Sequence, residues 1–564
     1  MKLKGAKVLL ECLKELGVDT IFGYPGGAVL PIYDALYYEK EIKHILTAHE
    51  QGAAHAADGY ARATGKTGVV LVTSGPGATN TVTGIATAYR DSIPMVVFTG
   101  QVAQAQLGKA AFQEVDITGI TRPITKKNYI VRDIKKLPEI IAEAFAVAKE
   151  GRPGPVLVDI PKDIQIAELE YKSENLKEKC KTYIKGYNKT NSKENELEGQ
   201  LDKAVEAINN AKKPVIYAGG GVIISGASKQ LLDFAEKIKS PVTCSLMALG
   251  AFPGNHEYFT GMVGMHGTRC SNYAVTNSDL LIALGTRFSD RVIGKVEEFA
   301  PEAKVIHIDI DDLEIGKNIN VDIPVKGDVK EILKVLTDRV NEKNESEWNS
   351  QIKIWKDMYR LQYNGQKALY PPYILNKLYE LTEGECVITT EVGQNQIWAA
   401  QFYKYIEPRT FVSSGGLGTM GFGLGAAIGA SIGQNQRKVI NVAGDGSFKM
   451  NSHELATVAR YKLPIIQLVL NNNALGMVYQ WQDMFYEKRF SSTIFENDVD
   501  FMKLSEAYGI KCIRITKNDE VEEALEYALE LDEPIVIECM INAEEKVFPI
   551  VPPGEAITYM IDQY

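Results

Sequence analysis

Residues 439–477 read VINVAGDGSFKMNSHELATVARYKLPIIQLVLNNNALGM, and this stretch decides the fold class. Two apolar, β-branched runs, Val439–Ala443 and Ile465–Leu470, flank a segment of helical periodicity, the pattern of a parallel βαβ unit. Each run ends in polar, metal-ligating chemistry: Gly444-Asp445-Gly446-Ser447 after the first, Asn471-Asn472-Asn473 after the second. Ligands of α/β folds bind at the carboxyl ends of parallel strands, so Asp445 and Asn472 are expected to be neighbours there. A carboxylate and an amide oxygen beside a phosphate suit Mg²⁺, which keeps several waters and takes few protein ligands.

A GDG followed, one helix and one strand later, by NN resembles the diphosphate-binding signature of thiamine diphosphate enzymes. The rest of the chain permits a large enzyme. Its 564 residues allow roughly three or four domains. The hydrophobic content of 45% and charged content of 24% are those of an ordinary globular protein. A net charge of −10 argues against a nucleic-acid partner. The seven cysteines are scattered without CxxC or zinc-like spacing, which reads as reduced thiols in a cytoplasmic protein. The opening MKLKGAKVLLECLKELGV reads as an amphipathic helix, not a signal peptide, and no apolar run is long enough to span a bilayer.

Three blocks follow one another. The first, about residues 1–165, alternates strands such as Gly68–Thr73 and Met95–Thr99 with Gly- and Ala-rich helices, and closes at the strand within Gly151–Asp163. Lys172–Glu198, rich in Lys, Glu, Asn and Ser, reads as an exposed linker. A second block runs to about residue 340, and polar Asn341–Ser350 separates it from the third. The outer blocks echo each other: TSGPGATN…IATAYRDSIPMVVFTG, from Thr73, parallels AGDGSFKMN…LATVARYKLPIIQLVLNN, from Ala443. In both, a strand ends in Gly-x-Gly, a helix follows, and a proline (Pro94 or Pro464) opens the next strand.

Glu50 stands in HILTAHEQGAAHAADGYARATG, after an apolar strand and at the start of an Ala-rich helix, where a carboxylate favours the helix dipole. A buried Glu with a raised pKa is also suited to hold a proton on the cofactor's aminopyrimidine. The segments YPGGAVLPIYDAL, HEQGAAHAADGYARATGKTGV, TSGPGATN, AFQEVDITGITRPITK and GRPGPVLVDIPKDIQ resemble the large catalytic subunit of acetohydroxyacid synthase, or acetolactate synthase. The likeness runs from near residue 4 to VPPGEAI near the C-terminus. It implies three doubly wound parallel-sheet α/β domains: a pyrimidine-binding domain over 1–170, an FAD-binding domain over 195–340, and a diphosphate- and Mg²⁺-binding domain over 368–550. It assigns cofactor activation to Glu50, and further active-site or channel positions to Gln113, Lys162 and Phe112. Thiamine diphosphate contacts fall on Pro25, Gly26, Gly27, Asn80, Val392, Gly393, Gln394, Asn395, Gly418, Met420, Gly446, Ser447 and Met477. Metal ligands are Asp445, Asn472 and the backbone carbonyl of Ala474.

In the second block, IYAGGG (from Ile216), GMHGT (from Gly264), LIALGTRFSDRVIG (from Leu281) and VIHIDIDD (from Val305) put glycines and acids at strand ends, as a dinucleotide requires. GMHGT and RFSDR resemble the FAD domain of biosynthetic members. The resemblance implies FAD contacts at Arg152, Gly220, Leu246, Met265, His266, Gly285, Arg287, Asp309 and Asp328. Arg291 is expected to hold a ketoacid carboxylate, Trp481 in GMVYQWQ to favour 2-ketobutyrate as acceptor, and Met265 to border the substrate. Gln480–Ser492 is the expected lid. The implied reaction decarboxylates pyruvate and joins the two-carbon remnant to a second 2-ketoacid. The products are 2-acetolactate or 2-aceto-2-hydroxybutyrate, in branched-chain amino-acid biosynthesis. A pyruvate oxidase on the same fold is the alternative. The resemblance also implies a homodimer or homotetramer and a small regulatory subunit. Ala48, Ala103, Ser289 and Asn395 depart from the family's usual residues, and Asn395 is expected still to donate to a phosphate oxygen.

Overall fold

A computed structural model describes residues 1–172, 175–189, 194–361, 369–496 and 499–562. Three six-stranded sheets, each parallel throughout, succeed one another along the chain. Their strands are short runs of Val, Ile and Leu, such as Gly68–Val72, Leu280–Leu284 and Ile465–Asn471, buried along their whole length. Burial on both faces is what a parallel sheet between helical layers demands.

The first sheet runs, edge to edge, Lys43–Leu46, Thr20–Tyr24, Gly68–Val72, Met95–Gln101, Pro155–Pro161, Lys127–Ile130. The third runs Phe411–Val412, Val387–Thr390, Val439–Gly444, Ile465–Asn471, Ile535–Met540, Lys511–Ile515. Both follow the chain order 2-1-3-4-6-5, so the echo between the outer blocks is a shared topology. The middle sheet runs Phe259–Met262, Val242–Cys244, Pro214–Ala218, Leu280–Leu284, Lys304–Asp309, Ile323–Lys326, the 3-2-1-4-5-6 order of a dinucleotide fold. In each sheet the order reverses beside the first strand, and there a crevice opens at the carboxyl ends.

The outer sheets are joined by two helices, Glu50–Thr64 and Gly423–Gly433, that cross at backbone contact. A Cβ on Gly429 would stand 1.8 Å from the Ala56 carbonyl oxygen, and one on Gly59 2.2 Å from that of Ala426. Arg62 fastens the end of the crossing. Its Nη1 donates to Ser413 O at 2.8 Å, its Nη2 to Asp91 at 3.0 Å, and its Nε pairs with Asp58. Asp91 in turn accepts from the amides of Gly415 and Gly416 at 3.1 and 2.7 Å.

The N-terminal amphipathic helix forms over Gly5–Glu15, with Val8, Leu9, Cys12 and Leu13 inward. The expected linker departs from its reading. Most of Lys172–Glu198 is helical, in Leu176–Lys189 and the start of Glu194–Asn210, while 173–174 and 190–193 lie outside the described residues. Leu176 is buried and Cys180 packs beside it against the first domain. Apolar residues one helical turn apart suffice to dock a lysine-rich helix. The expected break at Asn341–Ser350 is also shorter. A helix starts at Glu347, and its Trp348 is buried with Nε1 donating to Pro214 O at 3.1 Å, on the middle domain. The expected third-domain start, 368, lies outside the described residues. No helix among the described residues is long and apolar enough to cross a membrane.

Gly429→Ala should lower stability by about 1–3 kcal/mol through overpacking against Ala56. Gly199→Ala, on an exposed helical surface with no atom within 4 Å of the new methyl, should raise it by about 0.4–1 kcal/mol. Denaturant titration of the two variants checks the contrast.

Candidate active site

The third sheet's crevice brings together the residues of the GDG…NN motif. Strand pairing sets Gly444 opposite Leu470, so Asp445 and the Asn471–Asn472 corner leave the sheet side by side. Asp445 opens the helix Asp445–Asn451 and is 3% exposed, and its Oδ1 meets no hydrogen-bond donor among the described residues. Burial pushes its carboxyl up to about 7, although the Asn472 and Gly446 amides oppose the shift. A buried carboxylate oxygen without a donor suits a cation. Asn472 is oriented from both ends: its Oδ1 accepts from Ala474 N at 3.1 Å and its Nδ2 faces Gln394 Oε1 at 3.4 Å. Among the described residues no group of three His, Cys, Asp or Glu gathers elsewhere as a metal site. One carboxylate, one amide and a carbonyl fit Mg²⁺, whose remaining ligands come from phosphate and water.

A cavity of about 1860 Å³ opens between the domains, walled by Arg62, Asp91 and the Ser414–Gly418 turn. All nine residues expected to contact FAD line it. At its floor the first and fourth strands of the middle sheet end in glycines packed backbone to backbone. A Cβ on Gly219 would lie 2.1 Å from Gly285 O, and Gly221 N donates to that oxygen at 3.0 Å. Burial raises Asp309 to about 6 and lowers His266 to about 4, so His266 is neutral at pH 7. Asp328 caps the helix Val329–Arg339 through one carboxyl oxygen, and Arg152 is held by Glu314 at 2.8 Å. A dinucleotide fits this glycine floor and its flanking Arg and Asp residues.

Val392, Gly393, Gly418 and Met477 line the same cavity, and so do Met265, Arg291 and Trp481. The Arg291 guanidinium lies 5.8 Å over the Trp481 ring, joining residues from two domains, and its Nη1 reaches Met265 Sδ at 3.6 Å. Its pair with Asp290, at 3.8 Å between exposed side chains, is too weak to occupy it. The expected lid begins as the end of the helix Gly476–Phe485 and then folds back, with Tyr479 and Phe490 stacked at 4.2 Å.

The first domain gathers a second cluster at its own strand ends. Glu50 opens its helix, with His49 Nδ1 accepting from Gln51 N as the cap. Asn80 Nδ2 donates to Glu50 Oε2 at 3.0 Å. Gly26 packs on Thr73, and Gly75 on Gln113, whose φ is +59°. Pro25, Gly27 and Lys162 are exposed, and Phe112 is 88% exposed. None of these residues lines the large cavity. Glu50 is half-buried where a buried carboxyl was expected.

Three family descriptions match the chain in order. They are the N-terminal TPP binding domain of thiamine pyrophosphate enzymes over residues 3–120, the central domain over 201–336, and the C-terminal TPP binding domain over 391–539. A probable acetolactate synthase large subunit of Methanocaldococcus jannaschii is 48% identical over 99% of this chain and 95% of its own. The acetolactate synthase isozyme 2 large subunit of Escherichia coli (strain K12) is 45% identical over 100% of both chains. The large subunit of Corynebacterium glutamicum is 46% identical over 98% of this chain and 89% of its own. The chain belongs to the acetolactate synthase large subunit family.

One site expectation changes against this geometry. Asn395, which stands where the family commonly has His, does not donate outward: its Nδ2 is committed to the carbonyls of Glu391 and Val442 at 3.0 and 2.9 Å. As the second residue of its helix, it folds back over the strand ends. Ser447 donates to Gly444 O at 3.1 Å, and Met420 is half-buried. Other residues that build the site lie within the quoted segments without a role assigned to them, notably Arg62, Asp91 and Glu454. Gln480 is fully buried, bonded to Gln394 at 3.0 Å and to both backbone groups of Val547.

The raised carboxyl of Asp445 gives a pH signature in metal-free protein. A folded pKa above the unfolded one adds stability below about pH 4, and that stability is lost as pH rises through about 7. Asp445→Asn should therefore be the more stable metal-free protein at pH 8 and lose that advantage at pH 4. Mg²⁺ with diphosphate should stabilise only the wild type. Thermal melts at both pH values check each expectation.

Proposed function

We propose that this chain is the catalytic large subunit of an acetolactate synthase that condenses pyruvate with a second 2-ketoacid, as the first shared step towards branched-chain amino acids. The observation that carries the reading is the Arg291–Trp481 contact at the mouth of the shared cavity. A guanidinium for a carboxylate stands on an indole face for a short alkyl chain, which is the chemistry of a small 2-ketoacid. Thiamine diphosphate, when bound, supplies the nucleophilic carbon and the electron sink. Asp445, Asn472 and the Ala474 carbonyl would hold its diphosphate through Mg²⁺. Val392, Gly393 and Gly418 leave room for it, and Met420 and Met477 would border its rings.

Glu50, steadied by Asn80, would keep a proton on the aminopyrimidine ring. Arg291 fixes the acceptor's carboxylate and Trp481 measures its alkyl group, so 2-ketobutyrate is favoured by its extra methylene. Folding the segment after Trp481 over the cavity keeps water from the reacting centre. Arg152, Gly220, Leu246, Met265, His266, Gly285, Arg287, Asp309 and Asp328 would hold FAD, in a mainly structural role because the net reaction moves no electrons.

The half-site around Glu50, Gln113, Phe112 and Lys162 faces outward, apart from the cavity of its own chain. We infer a cytoplasmic homodimer, or a pair of such dimers, in which Glu50 of one chain completes the Asp445 site of its partner. A small regulatory subunit accompanies it, as the name of the relatives implies.

With Mg²⁺, thiamine diphosphate and FAD, pyruvate should yield acetolactate; peroxide or acetyl phosphate instead would make the chain an oxidase. Trp481→Leu should lower the preference for 2-ketobutyrate about tenfold in a competition assay. Glu50→Gln and Asp445→Asn should each abolish turnover. Co-expressed, they should recover about a quarter of wild-type activity, since half the dimers hold one intact site. No recovery would mean that each chain builds its site alone.

A further inference from the structure

Glu454 lies in the turn Ser452–Glu454 that ends the helix opened by Asp445, and it is 0% exposed. Its carboxylate crosses from the third domain to the first. Oε1 accepts from His49 N at 3.0 Å, and Oε2 accepts from Ala48 N at 3.1 Å and from Thr457 Oγ1 at 2.6 Å. Ala48 and His49 are the two residues before Glu50. Two carboxylate oxygens therefore grip the backbone at the point where the Glu50 helix begins.

The fit leaves no slack. A Cβ at Gly52 would stand 1.9 Å from Glu454 Oε1, so the helix's first turn rests directly on the carboxylate. Water cannot take over these bonds at a fully buried position, and the carboxylate needs its three donors to offset desolvation. The titratable and charged groups facing it are His49, His453, whose Nε2 is 3.9 Å away, and Arg460. The side-chain cap at His49 secures Gln51 N and Thr47 Oγ1 donates to His49 O at 3.0 Å, while the backbone amides of Ala48 and His49 both go to Glu454.

We propose that Glu454 is a positioning residue for Glu50: it sets how far the Glu50 carboxyl stands into the cofactor site. The proposal rests on the reading of Glu50 as the group that activates thiamine diphosphate. Glu454→Gln keeps the volume but replaces one acceptor oxygen with a donor amide, which then faces a backbone N–H or the Thr457 hydroxyl. In the cofactor-free protein, amide hydrogen exchange at Ala48 and His49 should rise. In the holoenzyme, deuterium exchange at the thiazolium C2 and kcat should fall together, about ten- to a hundredfold. KM for pyruvate should stay near wild type. In a Glu50→Gln background the substitution should cost nothing further, since both act through one carboxyl.

C2 exchange within about twofold of wild type in the folded Glu454→Gln enzyme would overturn the proposal, and so would a loss that multiplies with that of Glu50→Gln. Glu454→Asp, which keeps the charge and shortens the reach, carries the same comparison should the glutamine variant not fold. Wild-type C2 exchange in Glu50→Gln alone would instead overturn the reading of Glu50, and the proposal with it.

Discussion

Everything around the site depends on one crossing, where the helix Glu50–Thr64 of the first domain meets Gly423–Gly433 of the third at backbone distance. Helix axes normally stand apart by the thickness of their side chains. Here Gly59, Gly425 and Gly429 remove that spacing, and the neighbouring carbonyls of Ala56 and Ala426 occupy the room. Close-packed interiors transmit displacement and do not absorb it. The position of Glu50 is therefore fixed by a domain more than three hundred and fifty residues away in sequence.

Polar groups complete what packing begins. Arg62 joins Asp58 and Asp91 on its own domain to Ser413 across the boundary, and Asp91 takes two further amides from the opposing turn. Each charge in this network has partners, the condition under which a buried ion pair is tolerated. Arg62 and Asp91, with Gly415 and Gly416, also wall the large cavity. Glu391 plays the matching role at the other helix, its carboxylate accepting from Gly421 N at 2.7 Å and Leu424 N at 3.3 Å, with burial pushing it up to about 8. Asp445 differs from these: among the described residues no donor reaches its Oδ1.

Local features were legible wherever the chemistry is local. The strand-turn-helix at Ala443–Asp445, the glycine ends at Gly219–Gly221 and Gly285, and the helix start at Glu50 follow from periodicity and turn residues. The pairing of Asp445 with Asn472 followed because parallel strands must end on one side. The polar stretch after Lys172 misled, since Leu176 and Cys180 are two apolar residues in a charged background. Asn395 misled for another reason: a side-chain amide serves phosphate or backbone equally well, and only the nearness of two carbonyls decided between them.

The sequence by itself determined that the chain is a three-part α/β protein with a Gly-Asp-Gly and Asn-Asn corner, a glycine-rich strand end and a carboxylate at a helix start. Those are properties of segments a few residues long, set by backbone preference and side-chain chemistry. Tertiary structure alone decided which segments meet. It set Arg291 against Trp481, seated Glu454 beneath the Glu50 helix, and turned Glu50, Gln113 and Phe112 away from the cavity of their own chain. Such meetings depend on how domains pack, and packing is the sum of many weak contacts that no single motif encodes.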